Sequence, residues 1–158
     1  MKSLVVYYSR SGSTKFVADR VAQGLEAETE ELVDQKSRGG ILGFLRSESE
    51  SIRGSQTKLK DTTKDPNQFD LVVLGTPVWN GRPSSPIKTY LKAHDLSGKK
   101  VAIFTVSAES SGDDAVKRTR SLIPHCDYLG QLSISGALNN QGETEQKITE
   151  WCSQLKSH

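Results

Sequence analysis

Lys2-Ser3-Leu4-Val5-Val6-Tyr7-Tyr8-Ser9-Arg10-Ser11-Gly12-Ser13-Thr14 opens the chain with an apolar run that ends in a cluster of hydroxyls around one glycine. Residues 2–8 are rich in the β-branched and aromatic residues that favour strands. They are almost wholly apolar rather than alternating, which predicts a strand covered on both faces, as in a parallel sheet. After Thr14, the residues Val17, Ala18, Val21, Ala22 and Leu25 recur at the spacing of one helical stripe. A strand that runs through a short polar loop straight into a helix is the first half of a βαβ unit.

The same grammar repeats along the chain. Leu71-Val72-Val73-Leu74 reads as a strand bounded by Gly75 and Pro77, and 101–106 reads as another. Weaker strands lie near 29–33, ending at Asp34, and near 128–134, where Gly130 interrupts Leu129, Leu132 and Ile134. Helical stripes follow at Ile87, Tyr90 and Leu91 after Pro86, and at Ala115, Val116, Thr119, Leu122 and Ile123 before Pro124. The last stripe is Ile148, Trp151, Cys152 and Leu155. This alternation predicts an α/β fold: a three-layer, doubly wound, five-stranded parallel sheet with helices on both faces. The chain reads as a single domain over 1–158 with an irregular insertion at about 35–68, in which a short helix is expected near 41–53.

Length and charge narrow the function classes. The chain has 158 residues, enough for one core without staples. Its 21 Lys and Arg against 19 Asp and Glu give a net charge of +2, no case for nucleic acid as a partner. No apolar run approaches the ~20 residues of a membrane span, and the opening residues lack a signal-peptide layout, so a cytoplasmic protein with no membrane partner is expected. Cys126 and Cys152 have no CxxC or zinc spacing and read as unpaired thiols. His94, His125 and His158 join no nucleophile–base or metal pattern and read as surface residues.

In an open α/β sheet, ligands bind beyond the carboxyl ends of the strands, where the winding reverses. The loops after the first, third and fourth strands are therefore the candidates. In the first, Ser9, Ser11, Ser13 and Thr14 carry hydroxyls and Gly12 permits a tight turn. The helix N-terminus behind them presents unpaired N–H groups and positive dipole. Together these make a phosphate nest. The plainer alternative is that Ser13 or Thr14 only caps the helix. A nucleotide P-loop would need Gly-Lys-Ser/Thr, and a dinucleotide fingerprint three spaced glycines; neither is present. No cysteine stands there for a phosphatase, and no carboxylates for a phospho-acceptor.

The loop after the third strand runs Gly75-Thr76-Pro77-Val78-Trp79-Asn80-Gly81-Arg82-Pro83. An indole at a strand's carboxyl end is suited to stack on a flat ring, or else packs on its own loop. Asn80-Gly81 is a turn pair that tolerates positive φ, and its backbone is expected to reorient at little cost.

The two loops together, Ser9 to Thr14 and Gly75 to Pro83, resemble those of the flavodoxin family, and the likeness covers nearly the whole chain. The resemblance implies a flavodoxin-like sheet of order 2-1-3-4-5, for which flavodoxin is itself the standing example. It implies one non-covalent FMN as cofactor, with its phosphate on Ser9, Arg10, Ser11, Gly12, Ser13 and Thr14. Thr76, Pro77, Val78, Trp79, Asn80 and Gly81 would flank the ring, with Trp79 on one face. A backbone carbonyl near Asn80-Gly81 would turn toward the ring on reduction and favour one-electron steps. Ser107, Ala108, Glu109, Ser110, Ser111, Gly112 and Asp113 would hold the pyrimidine edge through backbone N–H groups. The implied partners are redox proteins, a reductase and an acceptor. No catalytic side chain and no metal is expected.

The chain also departs from that pattern. Many flavodoxins carry a tyrosine in the last of these loops; 107–113 holds no aromatic, so one ring face is expected to be either more open or covered by the 36–66 segment. Many are strongly acidic, whereas Arg10 and Arg82 stand in two of these loops, a rim that suits an acidic partner or anionic substrate. Ile41-Leu42-Gly43-Phe44-Leu45 is a candidate partner or homodimer contact. The leading expectation is an FMN electron carrier. The alternatives are an FMN-dependent NAD(P)H:quinone or flavin reductase, and a regulatory module that binds another phosphate ligand.

Overall fold

The computed structural model describes residues 1–35 and 57–158. In chain order these form β1 (Ser3–Tyr7), α1 (Ser13–Leu25), β2 (Glu28–Glu31), a 3₁₀ turn (Pro66–Gln68), β3 (Leu71–Trp79), β4 (Arg82–Pro83), α2 (Ser85–Ala93), β5 (Lys100–Ser107), α3 (Asp113–Ser121), β6 (Asp127–Ser135) and α4 (Gln141–Lys156). Five strands are parallel and ordered β2-β1-β3-β5-β6, while β4 folds back antiparallel on the end of β3. Counting only the parallel strands, this is the expected 2-1-3-4-5 order.

Both faces of the sheet are buried, as the unbroken apolar runs require. Val5, Tyr7, Val73 and Phe104 face one core with the α1 stripe and Ile148, Trp151, Cys152 and Leu155 of α4. Leu4, Val6, Val72, Leu74, Val101 and Ile103 face the other, against Ile87, Tyr90 and Leu91 of α2, Val116 of α3 and Ile123 beyond it. Each such side chain, fully buried, contributes roughly 1.5–3 kcal/mol, so layer-to-layer packing outweighs helix propensity. Leu122, expected in the α3 stripe, lies past the helix end and is exposed.

β3 is longer than its sequence suggests. Gly75 and Pro77 were expected to end it, yet the strand runs through both to Trp79. Gly75 lies between Tyr7 and Phe104 in the ladder, and a Cβ there would run into the Phe104 ring. Its glycine answers a close approach, not a turn. Beyond Gly75, β1 no longer pairs with β3, so Pro77 sits where only β5 pairs with it and its missing N–H is tolerated.

Part of the expected irregular insertion is ordered at the sheet edge. β2 is short and acidic, but Glu30 is only 6% exposed. Its carboxylate accepts from Thr63 N–H (3.0 Å), Thr63 Oγ1 (3.0 Å) and Lys64 N–H (3.1 Å). Just beyond, Gln35 N–H donates to Lys58 O and Lys60 N–H to Val33 O, an antiparallel neck. The helix expected near 41–53 and the Ile41–Leu45 patch lie outside the described residues. Cys126 and Cys152 are free thiols. His94 is half-buried rather than on the surface, stacked on Tyr90 at 4.2 Å with Nδ1 3.1 Å from Tyr90 O.

Candidate functional site

The carboxyl ends of β1, β3, β5 and β6 open onto one cleft of about 430 Å³. That is a normal size for a small-molecule site, typically ~300–1,000 Å³. Its lining divides by chemistry. One end is polar, with Arg10, Ser11, Ser13 and Thr14; the remainder is mainly apolar, with Pro77, Val78, Trp79, Val106, Ala108, Ala137 and Leu138 beside the polar Ser107 and Asn139. Among the described residues, neither carboxylate, histidine nor cysteine lines it. Among the described residues no group of three His, Cys, Asp or Glu could hold a metal ion.

The polar end is the loop between β1 and α1. Gly12 has φ +98° and occupies the N-cap position, with no side chain capping the helix. The reading in which Ser13 or Thr14 merely caps α1 is therefore set aside. Ser9 Oγ accepts the Gly12 N–H at 3.1 Å, which fixes the turn, and the first helical bond runs from Phe16 N–H to Gly12 O. The N–H groups of the first turn have no side-chain acceptor, and the hydroxyls of Ser11, Ser13 and Thr14 stand beside them on the cleft. This is a donor-rich anion cradle. Lys15 does not join it. Its ammonium bonds Asp19 (3.2 Å) and Tyr7 Oη (3.4 Å), contacts that raise its pKa, with the Asp19 bond the larger cause. Arg10 is the cation on the cleft wall, its guanidinium carbon 6.0 Å from the Trp79 ring.

The second wall is a hairpin. Val78 pairs with Pro83 and Trp79 with Arg82, leaving Asn80 and Gly81 as a two-residue turn at φ +53° and +69°. Positive φ at both central residues defines a type I′ turn. Turning its middle peptide over would give type II′, which asks for glycine at the first central position, where Asn80 stands. Reorientation is thus opposed at Asn80, contrary to the low cost expected from the Asn-Gly pair. Trp79 is 5% exposed, edge-on to Tyr8 at 5.7 Å and 86°, and touches the cleft. Thr76 is fully buried instead of lining the cleft. Its hydroxyl accepts the Ser84 N–H (2.9 Å) and donates to Pro77 O (2.9 Å), tying the hairpin's return strand to β3.

The third loop divides. Ser107 and Ala108 line the cleft, whereas Glu109, Ser110, Ser111, Gly112 and Asp113 do not. Ser110 O accepts from Ser107 Oγ and from Ser135 Oγ (3.0 Å), which draws the loop onto the end of β6. Gly112 packs against Thr105 Oγ1 so closely that a Cβ would overlap it, and Asp113 Oδ1 accepts from Gln131 Nε2 at 3.0 Å.

A fourth loop, not among the sequence candidates, completes the cleft: Gly136, Ala137, Leu138 and Asn139 between β6 and α4. Gly136 has φ +60°; its N–H donates to Ser107 O, and Asn139 N–H donates to Gly136 O, both at 2.9 Å. Its signal in the sequence is the Gly-Ala-Leu-Asn-Asn turn at a strand's carboxyl end, away from the winding reversal.

Comparison with known proteins agrees with this arrangement. Residues 2–155 match the family described as Flavodoxin. A protein of Cupriavidus metallidurans described as NAD(P)H dehydrogenase (quinone) is 28% identical over 149 residues, covering 90% of this chain and 74% of that protein. A flavoprotein from Lactobacillus acidophilus, solved in complex with FMN, superposes with a TM-score of 0.71 at 25% identity, over 88% of this chain and 97% of its own. Oxidised Flavodoxin 2 from Bacillus cereus shares the fold at a TM-score of 0.64 and 18% identity, over 99% of both chains.

Proposed function

The chain belongs to the flavodoxin family, and from that premise we propose that it is an electron-transfer protein that holds one non-covalent FMN in the cleft and works between redox partner proteins, a reductase and an acceptor. One observation carries the reading. A donor-rich helix N-terminus, uncapped by any side chain among the described residues, opens directly into a cleft that continues, past Trp79, with a mainly apolar lining.

The residues fit the group. The first-turn N–H groups of α1 and the hydroxyls of Ser11, Ser13 and Thr14 would hold the phosphate, each charge-assisted bond contributing roughly 1.5–3 kcal/mol. Trp79 would lie against one face of the ring, held there by its edge contact with Tyr8. Thr76 acts through the hairpin, fixing where Trp79 stands. Ser107 and Ala108 would bring backbone groups to the far edge. Bound FMN supplies the redox chemistry, and the chain supplies binding, orientation and the electrostatic setting.

A second reading, an FMN-dependent NAD(P)H:quinone reductase, is favoured by two observations. The Cupriavidus relative carries that description, and 107–113 offers no aromatic to cover the ring's other face. Reconstitution of apo-protein with FMN, riboflavin and FAD tests the common premise: FMN should bind most tightly, and failure to bind it refutes both readings. Steady-state oxidation of NADH or NADPH with a quinone then separates them. A carrier turns over negligibly without a partner reductase; a reductase does not need one.

A further inference from the structure

We propose that Leu138, on the turn between β6 and α4, is the apolar cover for the flavin face opposite Trp79, in the place left by the missing aromatic of 107–113. The inference rests on the FMN reading above and adds to it a contact residue from a fourth loop.

On the described cleft wall, few side chains can face Trp79. Pro77 and Val78 stand on Trp79's own strand, so they cannot oppose it. Val106 and Ala137 are buried in the core, and Ala108 has only a methyl group to offer. Among the described residues, Leu138 is the remaining large apolar side chain lining the cleft, and it is 45% exposed. An exposed leucine normally needs no explanation. This one sits on a turn pinned at three points: Gly136 N–H to Ser107 O, Asn139 N–H to Gly136 O, and Thr144 Oγ1 to Ala137 O at 3.2 Å. With the backbone of the turn held in advance, only the side chain's own rotamers remain to be ordered when a ligand covers it.

Spacing agrees. β3 and β6 are separated by one strand, β5. Two strand intervals are about 10 Å, and a flat ring touched on both faces needs about 7 Å between its neighbours. The difference is within the reach of a leucine side chain.

The test is titration of apo-protein with FMN and with riboflavin, which shares the ring but lacks the phosphate. Leu138→Ala should weaken both by the same factor, roughly tenfold. Leu138→Trp should restore or tighten both and deepen the quenching of flavin fluorescence. Because Leu138 is exposed, both variants should melt with the wild type. Unchanged affinities in Leu138→Ala would overturn the proposal, as would a loss confined to FMN, which would place Leu138 at the phosphate end. Wild-type protein that binds neither compound would overturn the FMN reading itself, and this inference with it.

Discussion

Replacing Thr76 with valine tests whether the hairpin under the candidate site is held by one buried hydroxyl. Valine matches threonine in shape but can neither accept nor donate. Thr76 and Ser84 are both fully buried. In the variant, the Ser84 N–H loses its acceptor at 2.9 Å and Pro77 O loses its donor at 2.9 Å. A buried donor left without a partner costs about 1–3 kcal/mol, so about 2 kcal/mol is expected in total. For a chain of this size that lowers the melting temperature by roughly 4–8 °C. Thr76→Ser is the control: it keeps the hydroxyl, loses one methyl and should cost only about 1 kcal/mol. Urea unfolding of the three proteins measures the difference, and FMN affinity should fall in the valine variant because Trp79 is carried on the same hairpin. Equal stabilities for Thr76→Val and Thr76→Ser would show that the hydroxyl's bonds do not hold the hairpin.

Gly12→Ala should cost about 1–2 kcal/mol from its left-handed backbone alone, since no heavy atom lies within 4 Å of the added methyl; FMN affinity should drop with it, and calorimetric titration at wild-type strength would show the cradle does not depend on that φ. Glu30→Ala strands the Thr63 and Lys64 N–H groups, and a loss of about 2–3 kcal/mol is expected; a thermal melt within 1 °C of wild type would mean that water replaces the carboxylate at no cost. Burial pushes the Cys152 thiol up to about 11, above the ~8.5 of an unfolded chain. Between these values the unfolded chain releases a proton that the folded chain keeps, so stability falls as pH rises from about 9 to 11, by up to ~1.4 kcal/mol per unit. Denaturation across that range, compared with Cys152→Ala, should show this slope only in the wild type, and the same slope in both would assign it to other groups.

Much of the architecture was legible because it is local or periodic. The apolar runs at 3–7, 71–74 and 101–106 could only be strands covered on both sides, and the stripes from Val17 to Leu25 and from Ile148 to Leu155 fixed which helix faces are buried. The tight, hydroxyl-rich turn into α1 was legible for the same reason. Its donors, its glycine and its helix lie within six consecutive residues, so the geometry that brings them together is the geometry of one turn.

What the sequence could not show depends on partners far along the chain. Gly75 reads as a strand breaker until the Phe104 ring is seen above it. Thr76 reads as a ligand contact until Ser84 turns its hydroxyl inward. Glu30 reads as an exposed charge on a weak strand, yet its partners are 33 and 34 residues away. The 109–113 segment carries the hydroxyls and glycine of a binding loop, but Ser135 and Gln131 on the neighbouring strand draw it off the cleft. The sequence by itself determined the βα order, the two-sided burial and the donor-rich turn between β1 and α1, since each is a pattern within one element and its adjoining loop. The tertiary structure alone decided how far β3 runs, which residues of the later loops reach the cleft, and that the β6–α4 turn closes it. Those outcomes depend on which strand lies beside which, and side chains brought together by strand order leave no trace in local spacing.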